Sequence, residues 1–277
     1  MTAFFRNLRF IILLLGVLSF TNTLARVDGE ATKALDIIDK PDRYDLFFNN
    51  EWDNALAPFT YQSSVFLLSG GYLTYLVFKD DFEEKRQRNY EKQYKKGGEK
   101  NWVKIGDTLG WGALPVAFLG IQALRTTFME NQTLEDKKAI EEVWQDAEYV
   151  TKSVVYTALM TFTMKTLISQ GRPKDRLKQD SFPSGHASSS FAFSTAIWLT
   201  QGYKWGIFST LVASWISYSR IEDGSHYYHD SIFGAALGIS YALGIYNNHY
   251  RRNLPFSFAV APTSNMDGAY GRFTYNF

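Results

Sequence analysis

Apolar residues along the chain are concentrated in six long stretches that polar segments separate. Their apolar positions do not alternate strictly and their lengths suit helices, so the pattern predicts an all-α bundle of about six core helices. The polar segment 79–100 follows the first stretch and predicts a solvated helix, and the polar segment 131–148 follows the second. The six stretches cover residues 61–78, 105–124, 150–168, 187–201, 203–219 and 231–246.

The two ends of the chain differ from this central pattern. Residues 1–9 carry two arginines and no acid, and an apolar run of eleven residues follows at 10–20. This arrangement predicts a signal peptide over residues 1–25 that is cleaved after Ala25, although an uncleaved membrane anchor would look similar. At the other end, residues 255–277 contain alternating aromatic positions and predict a short β-hairpin that covers the helical core.

Length, charge and cysteine usage narrow the class of protein. A chain of 277 residues is expected to form one or two domains, here an aromatic-rich N-terminal segment at 26–60 and a main domain at 61–254. The net charge of +1 argues against a nucleic-acid partner. Cysteine is absent, which excludes disulfides, thiol catalysis and cysteine metal sites. Export without cysteine fits the periplasm or the envelope of a bacterium.

The manner of membrane attachment stays open between two alternatives. Most uninterrupted apolar runs are shorter than the ~20 residues that a membrane span needs. The mean hydropathy of −0.22 is also low for a protein with six spans. These observations favour an exported bundle that acts at a membrane surface, and an integral membrane protein is the alternative.

The stretch SFPSGHASSS at residues 181–190 contains the first candidate functional residues. Gly185 beside Ser184 lets the backbone approach a ligand closely. A serine hydroxyl and consecutive amides at the start of a helix form a pocket for an anion. His186 follows directly and can exchange a proton with whatever the pocket holds.

Three cations and a second histidine complete the candidate site. Lys165, Arg172 and Arg220 supply positive charge, and they would repel one another unless a multiply charged anion such as phosphate lay between them. His226 and Asp230 are four residues apart, which predicts that they lie on one helix face. A carboxylate bonded to one ring nitrogen leaves the other as a nucleophile. Covalent phosphoryl transfer needs such a pair of histidines with different roles.

The pattern K-x6-RP, PSGH and SR-x5-H-x3-D resembles the type 2 phosphatidic acid phosphatase (PAP2) superfamily, over about residues 60–247. This superfamily includes membrane lipid phosphatases, soluble acid phosphatases and vanadium haloperoxidases. The resemblance implies a helical bundle with the site at one end. It implies that His226 forms a phosphohistidine, that Asp230 orients it, and that His186 protonates the leaving alcohol and then activates water. It further implies phosphate binding by Lys165, Arg172, Ser184, Gly185 and Arg220, with no metal or other cofactor.

Some residues near these motifs fit the family less well. Only nine residues separate Pro173 from Pro183, which leaves little chain for a lid. Glu222 and Asp223 are acidic close to a predicted phosphate site, so they should point away from it or bind a cationic part of the substrate. His229 is three residues from His226 and is expected to be an ordinary histidine, although it could tune the site.

The sequence therefore predicts a metal-independent phosphatase that hydrolyses a phosphate monoester or pyrophosphate, with a phosphorylated lipid as the expected substrate. A non-specific periplasmic phosphatase of small soluble esters is the main alternative. A vanadate-dependent haloperoxidase and a catalytically silent envelope module that docks a partner through its hairpin are further alternatives. The expected partners are the substrate and a membrane surface or bilayer. Outside the motifs, His249 is predicted to lie at the surface.

Overall fold

The structure of the chain is a computed structural model that describes residues 51–79, 101–129, 133–250, 256–262 and 269–275. The predicted signal peptide and residues 26–50 of the N-terminal segment lie outside these ranges. Most of the polar segment 79–100, with its predicted solvated helix, also lies outside them.

The described part of the chain is dominated by helices, which confirms the predicted all-helical bundle. A 3₁₀ turn, Ala57–Phe59, lies between the first two helices, and a π-helical segment, Leu109–Ala113, joins the third to the fourth. The α-helices are α1 (Glu51–Ala55), α2 (Tyr61–Lys79), α3 (Asn101–Thr108), α4 (Leu114–Phe128), α5 (Leu134–Ile168), α6 (Gly185–Gln201), α7 (Tyr203–Glu222) and α8 (Tyr228–Tyr250).

Helix α5 is much longer than the apolar stretch at 150–168 that predicted it. It begins at a capping box in which Thr133 Oγ1 accepts from the Asp136 amide at 3.1 Å, and Asp136 Oδ2 accepts from the Thr133 amide at 2.9 Å. Its first half exposes charged residues and buries Val143 and Ala147. A helix with a narrow apolar stripe contains no continuous apolar run. The predicted division between a polar segment at 131–148 and a separate helix is therefore wrong.

The apolar stretch at 105–124 is divided between α3 and α4. Gly112 has a φ of 97°, which a residue with a side chain rarely adopts, and the helix is interrupted there. Pro115 in the first turn then starts α4, where its missing N–H costs no hydrogen bond. The break changes the direction of the chain immediately after α3.

Helix α8 is the centre of the bundle and packs against α2, α5 and α6. Small residues let it approach its neighbours: a Cβ at Gly238 would lie 2.2 Å from the Ser188 carbonyl oxygen, and one at Gly234 would lie 2.7 Å from the Ser184 carbonyl oxygen. Two glycines four residues apart thus form a close-packing face on α8. The core around it includes Phe59, Tyr149, Phe182, Phe193, Phe233, Leu237, Tyr241 and Ile245.

Four helix ends meet at one end of the bundle because consecutive helices run in opposite directions. The loop after α5 is tied to the end of α7 by the Lys174 amide, which donates to the Gly224 carbonyl at 2.9 Å. The start of α6 is tied to α8 by the Ser184 amide, which donates to the Asp230 carbonyl at 3.1 Å. All predicted site residues lie on these ends or in the loops between them.

Two antiparallel strands follow α8, namely β1 (Phe256–Pro262) and β2 (Ala269–Tyr275). Phe256 pairs with Tyr275 and Pro262 with Ala269. Residues 263–268 and the side chains of both strands are outside the described part. The predicted hairpin and its packing on the core therefore stay predictions.

The outside of the bundle carries many large apolar side chains. They lie on four helices that surround α8 and α6, and we refer to them as the lateral apolar surface. Its members are Leu73 and Leu76 on α2, Ile121 and Leu124 on α4, Val155, Leu159 and Phe162 on α5, and Phe208 and Leu211 on α7. Within the described ranges, no helix combines the length and the apolar character needed to cross a membrane.

Candidate active site

The His226–Asp230 pair lies at the start of α8, although not as predicted. His226 precedes the helix and Asp230 is in its first turn, so the prediction that both lie on one helix face is wrong. Asp230 Oδ2 is 3.6 Å from His226 Nδ1 and accepts from Ser181 Oγ at 2.6 Å and from the Tyr227 amide at 2.8 Å. The carboxylate therefore fixes the backbone next to His226 as well as facing its ring.

Burial controls the charges of this pair. Burial lowers the pKa of His226, Asp230 opposes the change, and the nearby charges of Lys165 and Arg172 lower the pKa further. Burial alone would raise the pKa of Asp230, but His229 and His226 outweigh it and hold that pKa well below its usual value. The result is a neutral imidazole beside a carboxylate, which is the nucleophilic form of histidine.

The two other histidines outside the PSGH motif have side chains that are at most 6% exposed. His229 Nε2 lies 3.0 Å from Asp230 Oδ1 and 2.9 Å from Gln170 Nε2, so it contacts the same carboxylate as His226. His249 was predicted to lie at the surface, and this is wrong. Its side chain is only 6% exposed, because it stacks on Tyr149 and lies 4.0 Å from Glu148 Oε1.

The PSGH motif forms the start of α6. Ser184 caps the helix, its Oγ accepting from the Ala187 amide at 3.4 Å, and Gly185 is the first helical residue. A Cβ at Gly185 would lie 4.0 Å from Lys165 Cε, which places this glycine beside a predicted phosphate ligand. The first N–H groups of a helix lack partners within it and carry partial positive charge, so this helix start suits an anion.

Lys165 and Arg172 meet at Asp180, a residue that the motifs do not include. Arg172 Nε and Nη2 donate to the two carboxylate oxygens of Asp180 at 2.6 and 2.7 Å. Lys165 Nζ donates to the backbone carbonyl of Asp180 and, at 3.4 Å, to that of Ser181. Burial lowers the pKa of Lys165 to about 8, with Asp180 and Asp230 opposing the change. Hydrogen bonds from Arg172 lower the pKa of Asp180.

Arg220 is buried between two carboxylates. Its Nη2 donates to Ser225 Oγ at 2.9 Å and to Asp223 Oδ2 at 3.1 Å, and its Nη1 lies 2.9 Å from Asp107 Oδ1. Asp223 also accepts from Lys174 Nζ at 2.6 Å. Both alternatives expected for Asp223 are therefore wrong, because it neither points away from the site nor is available to bind a cationic part of the substrate. It orients a predicted phosphate ligand.

Glu222, the neighbouring acid, has a different environment. Its Oε1 accepts from the Tyr218 hydroxyl at 3.0 Å, one turn back along α7. Because Glu222 is the last residue of α7 and bonds along its own helix, it lies apart from the contacts of Arg220. Glu222 therefore points away from the site, as the first of the two alternatives expected.

His186 faces the same carboxylate as Arg220. Its Nε2 lies 3.0 Å from Asp107 Oδ1 and 3.2 Å from the Asp107 carbonyl oxygen. Burial lowers the pKa of His186 to about 4, Arg220 and His226 add to the change, and Asp107 opposes it. The rings of His186 and His226 are therefore close enough to influence each other electrostatically.

The structure brings all eight predicted site residues to one end of the bundle. Sequence reasoning missed the acids that hold the cations, namely Asp180 and Asp107, and the hydroxyl of Ser181 that holds Asp230. The only available signal was indirect: buried arginines require partners, and Asp107 lies between two glycines, Gly106 and Gly110. In the described ranges, no group of three or more His, Asp or Glu side chains is arranged to hold a metal ion.

Three cations, a helix start and a buried histidine–carboxylate pair lie at one end of the helical bundle, and this arrangement suits the binding of a phosphoryl group. Residues 138–254 match the PAP2 superfamily, which confirms the resemblance found in the motifs. The match supports a phosphatase-type hydrolase in general terms and includes every predicted site residue, whereas Asp107 lies outside it. No curated protein and no solved structure matches the chain.

Proposed function

We propose that the protein is a metal-independent phosphatase that hydrolyses a phosphate monoester or pyrophosphate through a phosphohistidine at His226. The observation that supports this most is a buried, neutral imidazole beside Asp230 at the end of the bundle where Lys165, Arg172 and Arg220 meet. A nucleophile needs an available electron pair, and a phosphoryl group needs cations around its oxygens.

The reaction has two steps. A nitrogen of His226 attacks phosphorus, the bond from phosphorus to the ester oxygen breaks, and its electron pair stays on that oxygen. His186 gives the oxygen a proton, so an alcohol leaves. Water then attacks the phosphohistidine, His186 takes a proton from it, and the phosphorus–nitrogen bond breaks to return neutral His226 and inorganic phosphate.

The cationic side chains neutralise the charge of the phosphoryl group, as Mg²⁺ does in other phosphoryl-transfer enzymes. Charge spreads over the equatorial phosphoryl oxygens in the transition state, and fixed donors stabilise it without having to reorganise. Arg172 and Arg220 are both held by carboxylates, which fix their orientation before the substrate binds. A phosphate group near His186 would also raise the pKa of that ring, which favours the proton donor.

A histidine substitution with a matched control tests this mechanism. We expect His226→Gln to lower kcat by at least about 1,000-fold, because the nucleophile is lost. We expect His249→Gln, which alters a buried histidine at the opposite end of α8, to keep activity within about threefold. Purified enzyme mixed with ³²P-labelled ester and quenched in base should retain label that acid releases. The mechanism is wrong if His226→Gln hydrolyses the ester at the normal rate.

We further propose that the substrate is a phosphorylated lipid and that the enzyme works at a membrane surface of the bacterial envelope. One support is the lateral apolar surface, since large exposed apolar areas typify interaction with membranes or partners. A second is Leu177, which is 93% exposed in the loop that contains Arg172. It lies between Arg176 and Lys178, and an apolar tip between cations suits an anionic bilayer.

The geometry of this loop explains why Leu177 is presented outward. The Arg172 amide donates to the Lys178 carbonyl at 3.1 Å, which closes the loop. The Leu177 amide donates to Asp175 Oδ1 at 3.1 Å, forming a turn at its tip. The apolar side chain therefore stands on a closed loop whose base is a predicted phosphate ligand.

The lipid proposal is tested with Leu177→Ser and two substrates. We expect hydrolysis of phosphatidate in anionic vesicles to fall about tenfold, because burying a leucine at a membrane contributes about 1.5 kcal/mol or more. Hydrolysis of soluble p-nitrophenyl phosphate should stay within twofold. Leu134→Ser is the control, since Leu134 is 70% exposed at the far end of α5. Equal rates on vesicles for all three proteins would instead favour a phosphatase of soluble esters.

A further inference from the structure

We propose that Asp107 is a positioning residue for the reaction: it holds the imidazole of His186 and competes with the phosphoryl group for Arg220. The proposal rests on the proposed function, because it assigns a role within that reaction. Asp107 is on α3, about 30 residues before the segment that matches the PAP2 superfamily. No motif of the chain points to it.

The contacts of Asp107 connect two functional groups. One carboxylate oxygen, Oδ1, lies 3.0 Å from His186 Nε2 and 2.9 Å from Arg220 Nη1. The backbone carbonyl of the same residue lies 3.2 Å from His186 Nε2. A single residue thus faces the predicted proton donor with both its main chain and its side chain.

Two close approaches fix the backbone that carries this carboxylate. A Cβ at Gly106 would lie 2.2 Å from Ser219 Oγ, next to Arg220. A Cβ at Gly110 would lie 2.2 Å from His186 Cδ2. Glycines on either side of Asp107 therefore let α3 and the turn after it lie directly against His186 and against Ser219, the chain neighbour of Arg220. Such contact leaves the backbone on either side of Asp107 little freedom to move.

The electrostatic surroundings of His186 give Asp107 a chemical role. Burial, Arg220 from α7 and His226 from the loop before α8 all disfavour a charged His186, and Asp107 from α3 is the group that opposes them. The imidazole must carry a proton when the ester oxygen leaves. Both nitrogens of a protonated ring carry hydrogen, so contact with Asp107 does not exhaust its donors.

The same carboxylate repels the substrate. A phosphoryl group bound at Arg220 would lie near the negative charge of Asp107, and like charges at short range disfavour binding. Removing this charge should therefore strengthen phosphate binding while it weakens proton donation. A residue that only maintained the fold would not change the two properties in opposite directions.

The experiment compares the wild type with Asp107→Asn and Asp107→Glu on two esters that differ in leaving group. We expect Asp107→Asn to lower kcat for an alkyl phosphate about 100-fold. The loss of kcat for p-nitrophenyl phosphate should be about tenfold or smaller, because a good leaving group needs little protonation. The inhibition constant for inorganic phosphate should fall about fivefold. The basic limb of the pH profile should move to lower pH, and Asp107→Glu should recover part of each effect.

A readout that does not depend on turnover separates this proposal from the proposed function. NMR titration of His186 should give a lower pKa in Asp107→Asn than in the wild type, with Asp107→Glu in between. If the wild type hydrolyses no phosphate ester, the proposed function fails, and the titration still decides whether Asp107 controls His186. An unchanged His186 pKa, or equal losses on both esters with weaker phosphate binding, would overturn the proposal.

Discussion

Replacing Gly238 by alanine tests whether the packing of α8 on α6 sets both stability and the geometry of the site. The added Cβ would lie 2.2 Å from the Ser188 carbonyl oxygen and 2.7 Å from the Ala192 amide nitrogen. Both atoms belong to the backbone of α6, so no side chain can move aside. The helices would have to separate by about 1 Å to restore ordinary contact.

The magnitude follows from the cost of overpacking, which is typically about 1–3 kcal/mol. Because the clash is with backbone, we expect the upper end, about 3 kcal/mol, out of a total stability of about 5–15 kcal/mol. For a chain of this size, that loss lowers Tm by about 6–12 °C. A 1 Å displacement between the helix that starts with the PSGH motif and the helix that contains Asp230 should lower kcat/KM about 100-fold.

The control is the same substitution at Gly120, in the interior of α4. A Cβ there would meet nothing within 4 Å. Alanine favours a helix over glycine, so Gly120→Ala should raise stability by about 0.5–1 kcal/mol and leave activity unchanged. Denaturant unfolding followed by circular dichroism, together with steady-state kinetics on one soluble ester, measures both effects. If Gly238→Ala were as stable and active as the wild type, the inferred close packing would be refuted.

Two further predictions concern charge. Arg172→Lys removes the paired contact with Asp180, so kcat/KM should fall about tenfold or more in steady-state kinetics. The control, Arg176→Lys in the same loop, should keep kcat/KM within about twofold of the wild type. Equal kcat/KM values for the two variants would contradict this role of Arg172. The free energy of unfolding should fall as pH falls from about 6.5 to about 4, because His186 resists protonation when folded and binds a proton when unfolded. The contribution of His186 to the pH dependence of the free energy of unfolding approaches about 1.4 kcal/mol per pH unit. Denaturant titrations of His186→Asn at several pH values should lack this contribution.

The helices that sequence predicted best are the ones that are buried on several sides. Helix α8 is surrounded by α2, α5 and α6, so its residues are apolar for most of its length and the pattern is visible. The first half of α5 exposes many charged residues, and they conceal the helix in the sequence. The break at Gly112 was also missed, because a single glycine in an apolar run is compatible with a continuous helix.

The site shows the same division between local and distant information. Ser184 as a helix cap and Asp230 near His226 could be predicted because each depends on neighbours within a few residues. The relation of Asp107 to His186 could not be predicted, since 79 residues separate them and a lone aspartate on a short helix carries only an indirect signal. The prediction that His249 lies at the surface was wrong because its polar neighbours in sequence suggested solvent exposure, whereas helix packing covers its side chain.

The sequence by itself determined the class of chemistry, because three cations, two histidines and a carboxylate in a fixed order suit only a few reactions. It also determined most of the helices, because their periodicity is local. The tertiary structure alone decided which acid holds each cation and which buried groups surround each of the two histidines. Those properties depend on burial and on distances between remote segments, and neither is encoded in any short stretch of the chain.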